Sequence, residues 1–437
     1  MEDTICAIST ALQKGAIAIV RLSGPESFEI IRRISDLQGE YEANTIRYGH
    51  VYDGEEQLDE VLVSFFKAPK SYTGEDLAEI NCHGSPFTAR RILKVLLRYA
   101  RAAEPGEFTR RAYINGRITL AQAEAANDMV NSFNILQSRS ALRGLDGSVT
   151  RLLDPLMEDM RQILSMIEVN IDYPEYEDEK QMDEDVIRPE VEKWIVRMDE
   201  MIREAERFLE VKDGLKTAII GKPNVGKSSL LNALSAKEKA IVTDVAGTTR
   251  DLIEENVDLG SLSLHLIDTA GIRESEDKVE KIGIERSRKA IDEADLILLV
   301  LDGSAPLDEE DEALLKMTEN KERIILYNKA DILRSEKEGI HISAKENDLS
   351  ELISYLEEKY EPAYSLADQD VLTSTRQVSL MQKARECLKG YLASEDLPLD
   401  IAAEELTESY SCLSEILGRE YREDLIDHLF RNFCLGK

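Results

Sequence analysis

Apolar residues follow three different patterns along this chain. In residues 1 to about 117, short runs rich in β-branched and aromatic residues (Ala16–Leu22, Ile46–Tyr52 and Val61–Phe66) predict strands. Ser27–Ile34 and Phe87–Ala100 carry apolar residues at helical spacing, so this first region reads as α+β. From about Ile118 to Val211 the period is helical throughout. Leu152/Leu153, Leu156/Met157, Met160, Ile163/Leu164 and Ile167 recur every three to four residues, and Trp194/Ile195, Met198, Met201/Ile202, Ala205 and Phe208/Leu209 do the same. Near Lys216 the pattern changes abruptly. Thr217–Gly221, Ser261–Asp268, Leu296–Asp302, Arg323–Lys329 and Gly339–Ala344 read as apolar strands separated by helical stretches, which predicts a doubly wound α/β sheet. After about Pro362 the helical period returns through Met381, Ala384, Leu388 and Leu392, then Leu413, Ile416, Leu425, Leu429 and Phe433. Helices on both sides of an α/β unit fit two bundles or one bundle carrying an insertion. The single bundle is the more economical reading, because each half alone offers few helices.

Composition narrows the classes. The 437 residues suggest about three domains, and 43% hydrophobic with 32% charged residues excludes a chain disordered by composition. The net charge of −32 argues against non-specific coating of nucleic acid, which needs a broad basic surface. A local exception is Arg90–Arg117, where Arg90, Arg91, Lys94, Arg98, Arg101, Arg110, Arg111 and Arg117 face only two Glu. That stretch is either a nucleic-acid phosphate contact or an ordinary helix face with ligand-binding arginines. The longest aliphatic run, Leu296–Leu301, is far short of the ~20 residues of a membrane helix, and no secretory signal is visible. Cys6, Cys82, Cys387, Cys412 and Cys434 show no CxxC or metal-type spacing, which fits reduced thiols in a cytoplasmic protein. The acidic run Asp172–Glu190 reads as a solvated loop without chemistry.

The chemistry lies in the α/β region. Gly221-Lys222-Pro223-Asn224-Val225-Gly226-Lys227-Ser228 fits GxxxxGK[ST] between an apolar strand and a helical run. Backbone N–H groups of such a loop, with the helix N-terminus behind them, surround phosphates. Lys227 would neutralise the β- and γ-phosphates, and Ser228 would ligate Mg²⁺ beside Ser229. Asp268-Thr269-Ala270-Gly271 ends a second strand, with Asp268 placed to hold Mg²⁺ through water. Asn328-Lys329-Ala330-Asp331 ends another, where the Asp331 carboxylate can accept two parallel hydrogen bonds from guanine but not from adenine. Ser343-Ala344-Lys345 follows the next strand and can offer backbone N–H groups to guanine O6. In this order the four elements resemble the translation-factor class of GTPase domains.

Ile272 follows Gly271, where Ras-like GTPases carry the Gln that orients water, so another group must do so here. Asn224 together with Gly247-Thr248-Thr249-Arg250-Asp251 resembles the potassium-activated GTPases, in which K⁺ takes the part of an arginine finger. That resemblance implies K⁺ ligands at Asn224, Thr243, Val245 and Thr248, with Thr249 on Mg²⁺ and the Thr243-Asp244-Val245-Ala246-Gly247 loop around the nucleotide.

Signatures outside the α/β region extend the likeness to the whole chain. Gly15–Gly24 (GAIAIVRLSG), Ser71–Asp76 (SYTGED) with Glu79, Pro105–Thr109 (PGEFT), Leu120–Ala125 (LAQAEA) and the ending Phe433-Cys434-Leu435-Gly436-Lys437 resemble the MnmE (TrmE) family of tRNA-modification GTPases. The resemblance implies an N-terminal folate-binding and dimerisation domain at 1–117. It implies a discontinuous helical domain at 118–213 and 364–437, with a Ras-like G domain inserted at 214–363. It implies folate contacts at Arg21, Glu79, Arg117 and Lys437, and a water-orienting carboxylate at Glu280. Cys434 is either a participant in the modification or a buried thiol. The implied cofactors are GTP, Mg²⁺, K⁺ and a 5,10-methylene or 5-formyl tetrahydrofolate. The implied partners are a second copy of the chain, tRNA, and an FAD protein of the MnmG (GidA) family in a heterotetramer, with no membrane. The alternative is a GTPase switch in ribosome assembly or scaffolding. It leaves the folate-type signature unexplained, and no basic RNA-binding module follows the G domain.

Overall fold

The computed structural model describes residues 3–172, 184–238, 255–259, 262–267, 289–333, 338–394 and 398–419, with Phe430, Phe433 and Gly436. Two compact units emerge: one from residues 1–131, 144–173 and 398–437, the other from 132–143 and 174–397.

The first unit is built on β1 (Ile5–Ile8), β2 (Ile17–Ser23), β3 (Thr45–Asp53), β4 (Glu56–Phe66), β5 (Leu77–His83) and β6 (Arg101–Ala102). Their order in the sheet is β3-β4-β5-β2-β1-β6, antiparallel except for the parallel β1–β6 pair. Alternation along β2 buries Ala18, Val20 and Leu22 under α1 (Ser27–Ile34) and α2 (Pro86–Leu96), against Ile30, Ile31, Val63, Phe65, Ile80 and Ile92. The period-2 strands and the helix at Ser27–Ile34 therefore lie where the sequence predicts them. Four elements escaped the pattern: β1, β5, β6 and α3 (Glu107–Ile114). The chain continues through α4 (Leu120–Asn131), α5 (Ile135–Leu145), whose residues up to Arg143 belong to the second unit, and α6 (Ser148–Asp172).

In the second unit α7 (Glu184–Lys212) leads into β7 (Leu215–Ile220) and α8 (Lys227–Glu238). There follow β8 (Glu255–Asp258), β9 (Ser263–Leu266), β10 (Leu296–Asp302), α9 (Glu309–Met317), β11 (Arg323–Asn328), β12 (Ile340–His341) and α10 (Ser350–Tyr364). The sheet runs β12-β11-β10-β7-β9-β8, parallel except for the β8–β9 hairpin. Alternate residues of β10 feed opposite cores, Leu296, Leu298 and Val300 into one and Ile297, Leu299 and Leu301 into the other. A strand covered on both faces has to be apolar throughout, which is why Leu296–Leu301 reads as an unbroken aliphatic run.

Helices α11 (Thr375–Ala393) and α12 (Leu399–Leu417) follow. α6 packs on α12 within the first unit and α7 packs on α11 within the second. Each unit thus holds one packed pair of these helices. Among the described residues, no helix is long and apolar enough to cross a membrane.

Candidate functional site

The glycine-rich turn predicted between strand and helix lies between β7 and α8. Asn224 takes φ 63° and Gly226 takes φ 100°, both in the left-handed region. A Cβ at Gly226 would come within 2.2 Å of Asn328 Nδ2, so only glycine fits where the loop passes the end of β11. Lys227 begins α8, and its Nζ donates to the carbonyls of Gly221 (2.7 Å) and Lys222 (2.8 Å), the rim of the cradle. Burial pushes the Lys227 ammonium below its ordinary value, which raises the electrostatic gain from an anion placed beside it. Val225 is buried beneath the loop, whereas Asn224, Ser228 and Ser229 are exposed.

The NKAD and SAK segments meet this loop through one side chain. Asn328 is buried at 4% exposure; its Nδ2 donates to the Val225 carbonyl at 2.8 Å, and its Oδ1 accepts from Ala344 N–H at 3.0 Å. Ser343 Oγ donates to Asp331 Oδ1 at 2.8 Å, while Asp331 and Lys345 stay exposed. One buried amide therefore ties Gly226, the NKAD stretch and the SAK stretch into a single frame, with an exposed carboxylate at its edge. Lys329, at φ 69°, pairs with Asp302 at 2.6 Å. Burial raises the Asp302 carboxyl, but the hydrogen bonds from Lys329 and Ser304 outweigh it and hold the group below its ordinary value.

Sequence reasoning missed Asp302 and the role of Lys222, whose Nζ contacts Asp308 (2.5 Å) and Asp311 (2.8 Å). Those two aspartates form the capping box of α9, so the P-loop is pinned to a neighbouring helix start. The signal was the D-x-x-D spacing at the start of α9. Thr243, Asp244, Val245, Ala246, Gly247, Thr248, Thr249, Asp268, Thr269, Ala270, Gly271, Glu280, Cys434 and Lys437 lie outside the described residues.

In the first unit, Arg21 and Glu79 stand directly opposite each other on β2 and β5 and are paired at 2.8 Å. Arg21 lies 5.9 Å over the Tyr72 ring, and the exposed Arg117 donates from Nε to the Ser71 carbonyl at 3.1 Å. Two of the predicted folate arginines therefore flank the same Ser71–Tyr72 segment.

The signature residues around them serve an ionic network. Arg111, fully buried, reaches Asp3 (2.8 Å), Glu107 (3.0 Å) and Glu75 (3.1 Å). Arg101 also pairs with Glu107 (2.6 Å) and with Asp3 (2.9 Å). Burial raises the Glu107 carboxyl, but hydrogen bonds from Arg101, the Glu104 N–H and Arg111 hold it below its ordinary value. Glu75 of SYTGED and Glu107 of PGEFT are thus counter-charges of Arg111. Arg91 pairs with Glu56 and Arg98 with Asp53. Four cations of the stretch read as a candidate tRNA contact, Arg91, Arg98, Arg101 and Arg111, are therefore matched by carboxylates of the chain itself.

A β-strand, P-loop and helix leading to an NKxD frame on a doubly covered sheet define a P-loop GTPase. The family model of the GTP-binding protein TrmE N-terminus matches residues 4–117, and that of the MnmE helical domain matches residues 120–434. The chain is 44% identical, over 451 residues, to the tRNA modification GTPase MnmE of Lactococcus lactis subsp. cremoris, covering 100% of this chain and 98% of that protein. Identity to its counterpart in Listeria innocua is 43% over 454 residues, covering 100% and 99%. This chain belongs to the MnmE family of tRNA modification GTPases and is a GTP hydrolase. Among solved structures, Aquifex aeolicus Era bound to GDP.AlF4⁻ matches with a TM-score of 0.25 and 21% identity, covering 42% of this chain and 69% of that one; so weak a likeness carries no argument.

Proposed function

We propose that this protein is a potassium-activated GTPase that acts with an FAD-containing partner of the MnmG (GidA) family. Together they add an aminomethyl or carboxymethylaminomethyl group to C5 of the wobble uridine of certain tRNAs. A tetrahydrofolate supplies the one-carbon unit, and the reaction takes place in the cytoplasm. The observation that carries this reading is identity along the whole chain to proteins named tRNA modification GTPases, together with a guanine-reading frame built from Asn328 and Asp331.

The residues divide the work. The P-loop N–H groups and Lys227 hold the phosphates, while Asp331, Ser343, Ala344 and Lys345 read guanine. Ser228, Thr249 and Asp268 hold Mg²⁺. Asn224, on the exposed rim of the loop, holds K⁺ with Thr243, Val245 and Thr248. A K⁺ held by these residues would supply positive charge against the charge that develops on the phosphoryl group. Glu280 orients the attacking water in place of the missing Gln. Arg21, Glu79, Arg117 and Lys437 surround the folate, with the guanidinium pair on Ser71–Tyr72 as the supporting geometry. Residues 1–117 bind folate and form the homodimer, 118–213 and 364–437 form the helical domain, and 214–363 form the G domain. Hydrolysis drives closing and opening of paired G domains within a heterotetramer.

Nucleoside mass spectrometry of tRNA from cells lacking this protein tests the reading. C5-substituted wobble uridines should disappear and return on complementation. An unchanged nucleoside profile would refute it.

A further inference from the structure

Lys222, the second residue of the P-loop, is engaged at both its ends. Its Nζ donates to Asp308 Oδ2 at 2.5 Å and to Asp311 Oδ2 at 2.8 Å, at the start of α9. Its backbone carbonyl accepts from Lys227 Nζ at 2.8 Å, beside the Gly221 carbonyl at 2.7 Å. One residue thus links the ammonium of the P-loop lysine to a helix start.

That helix start is a fixed post. Asp308 Oδ1 accepts from the Asp311 N–H at 3.0 Å, and Asp311 Oδ2 accepts in return from the Asp308 N–H at 3.3 Å. The connection that leads to it from β10 is tied to the end of β11. The Gly303 N–H donates to the Asn328 carbonyl at 2.8 Å, and Asp302 pairs with Lys329 at 2.6 Å. Asp311 is 2% exposed, and its Oδ1 has no hydrogen-bond partner among the described residues. Lys222 is the cation paired with it, so drawing Lys222 away would leave a buried carboxylate uncompensated. The side chain is therefore strongly held, and the carbonyl on the same residue is held with it.

We propose that Lys222 is a positioning residue for GTP hydrolysis: its ion pair with the capping box of α9 fixes the carbonyl that aims the Lys227 ammonium at the phosphates. This rests on the reading of Lys227 as a phosphate ligand. Misplacing such a charge by about 1 Å can cost about a hundredfold in rate.

The test compares the full chain with Lys222→Met, Lys222→Arg, Asp308→Ser, Lys227→Met, and Lys222→Met combined with Lys227→Met. The kcat and KM for GTP, the affinity for a non-hydrolysable GTP analogue, and hydrogen exchange of the α9 amides are measured in each. Lys222→Met should lower kcat about tenfold and weaken the analogue less, about threefold, because charge on the phosphoryl oxygens grows in the transition state. Lys222→Arg still reaches both carboxylates and should stay within about twofold of the parent. Asp308→Ser keeps a capping oxygen but loses the contact with Nζ, so kcat should fall at least about threefold with the α9 amides still protected. On the Lys227→Met background, Lys222→Met should weaken the analogue by less than about 1.5-fold further. If Lys222→Met loosens α9 itself, Asp308→Ser decides. Parental kcat in Asp308→Ser, or in Lys222→Met, overturns the proposal. A loss that persists in full without Lys227 overturns it too, since Lys222 would then act by another route. If Lys227→Met binds too weakly to titrate, kcat alone decides, and a Lys222→Arg rate as low as that of Lys222→Met overturns the proposal. Parental analogue affinity in Lys227→Met alone refutes the phosphate reading of Lys227 on which the proposal rests.

Discussion

Asn328 donates through Nδ2 to the Val225 carbonyl at 2.8 Å, so a residue of the NKAD stretch is a strut of the P-loop. Its Oδ1 simultaneously accepts from Ala344 N–H. Asn328→Ala leaves both backbone groups without this partner in a buried place, at a cost of about 1–3 kcal/mol. Denaturant unfolding should show that loss, and GTP affinity should fall at least about tenfold with GDP affected in parallel, since the cradle itself is disturbed. Parental stability together with parental nucleotide affinity would mean that the strut does nothing.

Asp331 is the exposed carboxylate at the edge of that frame, with one oxygen accepting from Ser343. Asp331→Asn replaces an acceptor with an amide donor, which suits the 2-oxo group of xanthine and not the 2-amino group of guanine. GTP binding should be lost and xanthosine triphosphate binding gained in competition titrations. Retention of GTP affinity would refute the base assignment.

Asn224 stands on the exposed rim of the P-loop in a left-handed conformation. If it holds K⁺, phosphate release from GTP should be much faster in KCl than in NaCl at equal ionic strength. Asn224→Ala should abolish most of that difference while nucleotide still binds. Equal rates in the two salts would exclude the cation.

Glu107 sits at 4% exposure between Arg101 and Arg111, with its carboxyl held below the ordinary value. A carboxyl depressed in the folded state stabilises above its unfolded pKa and loses that contribution as pH falls through the folded value. Glu107→Gln should therefore lower stability at pH 7 by about 1–3 kcal/mol. The gap to the parent should close as pH drops through and below the ordinary carboxylate range. Urea titrations at several pH values measure this, and a gap independent of pH would show that the charge of Glu107 is irrelevant.

Arg111 marks a limit of sequence reading. In sequence it is one cation in a basic stretch; in the fold it is fully buried among carboxylates from Asp3, Glu75 and Glu107. A charge count along the chain cannot separate a solvated arginine from a buried one, because two of the three counter-charges, Asp3 and Glu75, come from distant segments. For the same reason α3 escaped notice: it buries Glu107, Thr109 and Arg111 as well as Phe108 and Ala112, so it shows no apolar stripe. β1 is only four residues long, all buried, between β2 and β6, too short to display a period. β5 carries Glu79 and Asn81 on one face, so it does not read as strongly apolar, although it pairs on both sides.

By itself the sequence determined those features whose physics is local. Aliphatic runs had to become doubly covered strands, and the glycines at Gly221 and Gly226 had to form a tight turn between β7 and α8. Tertiary structure decided what depends on charges and backbones brought together from far apart. It turned signature glutamates into partners of Arg111, made Asn328 a brace for Val225, and set Arg21 between Glu79 and Gly436. Burial makes each of those polar groups costly unless it is matched, and the fold alone supplies the match.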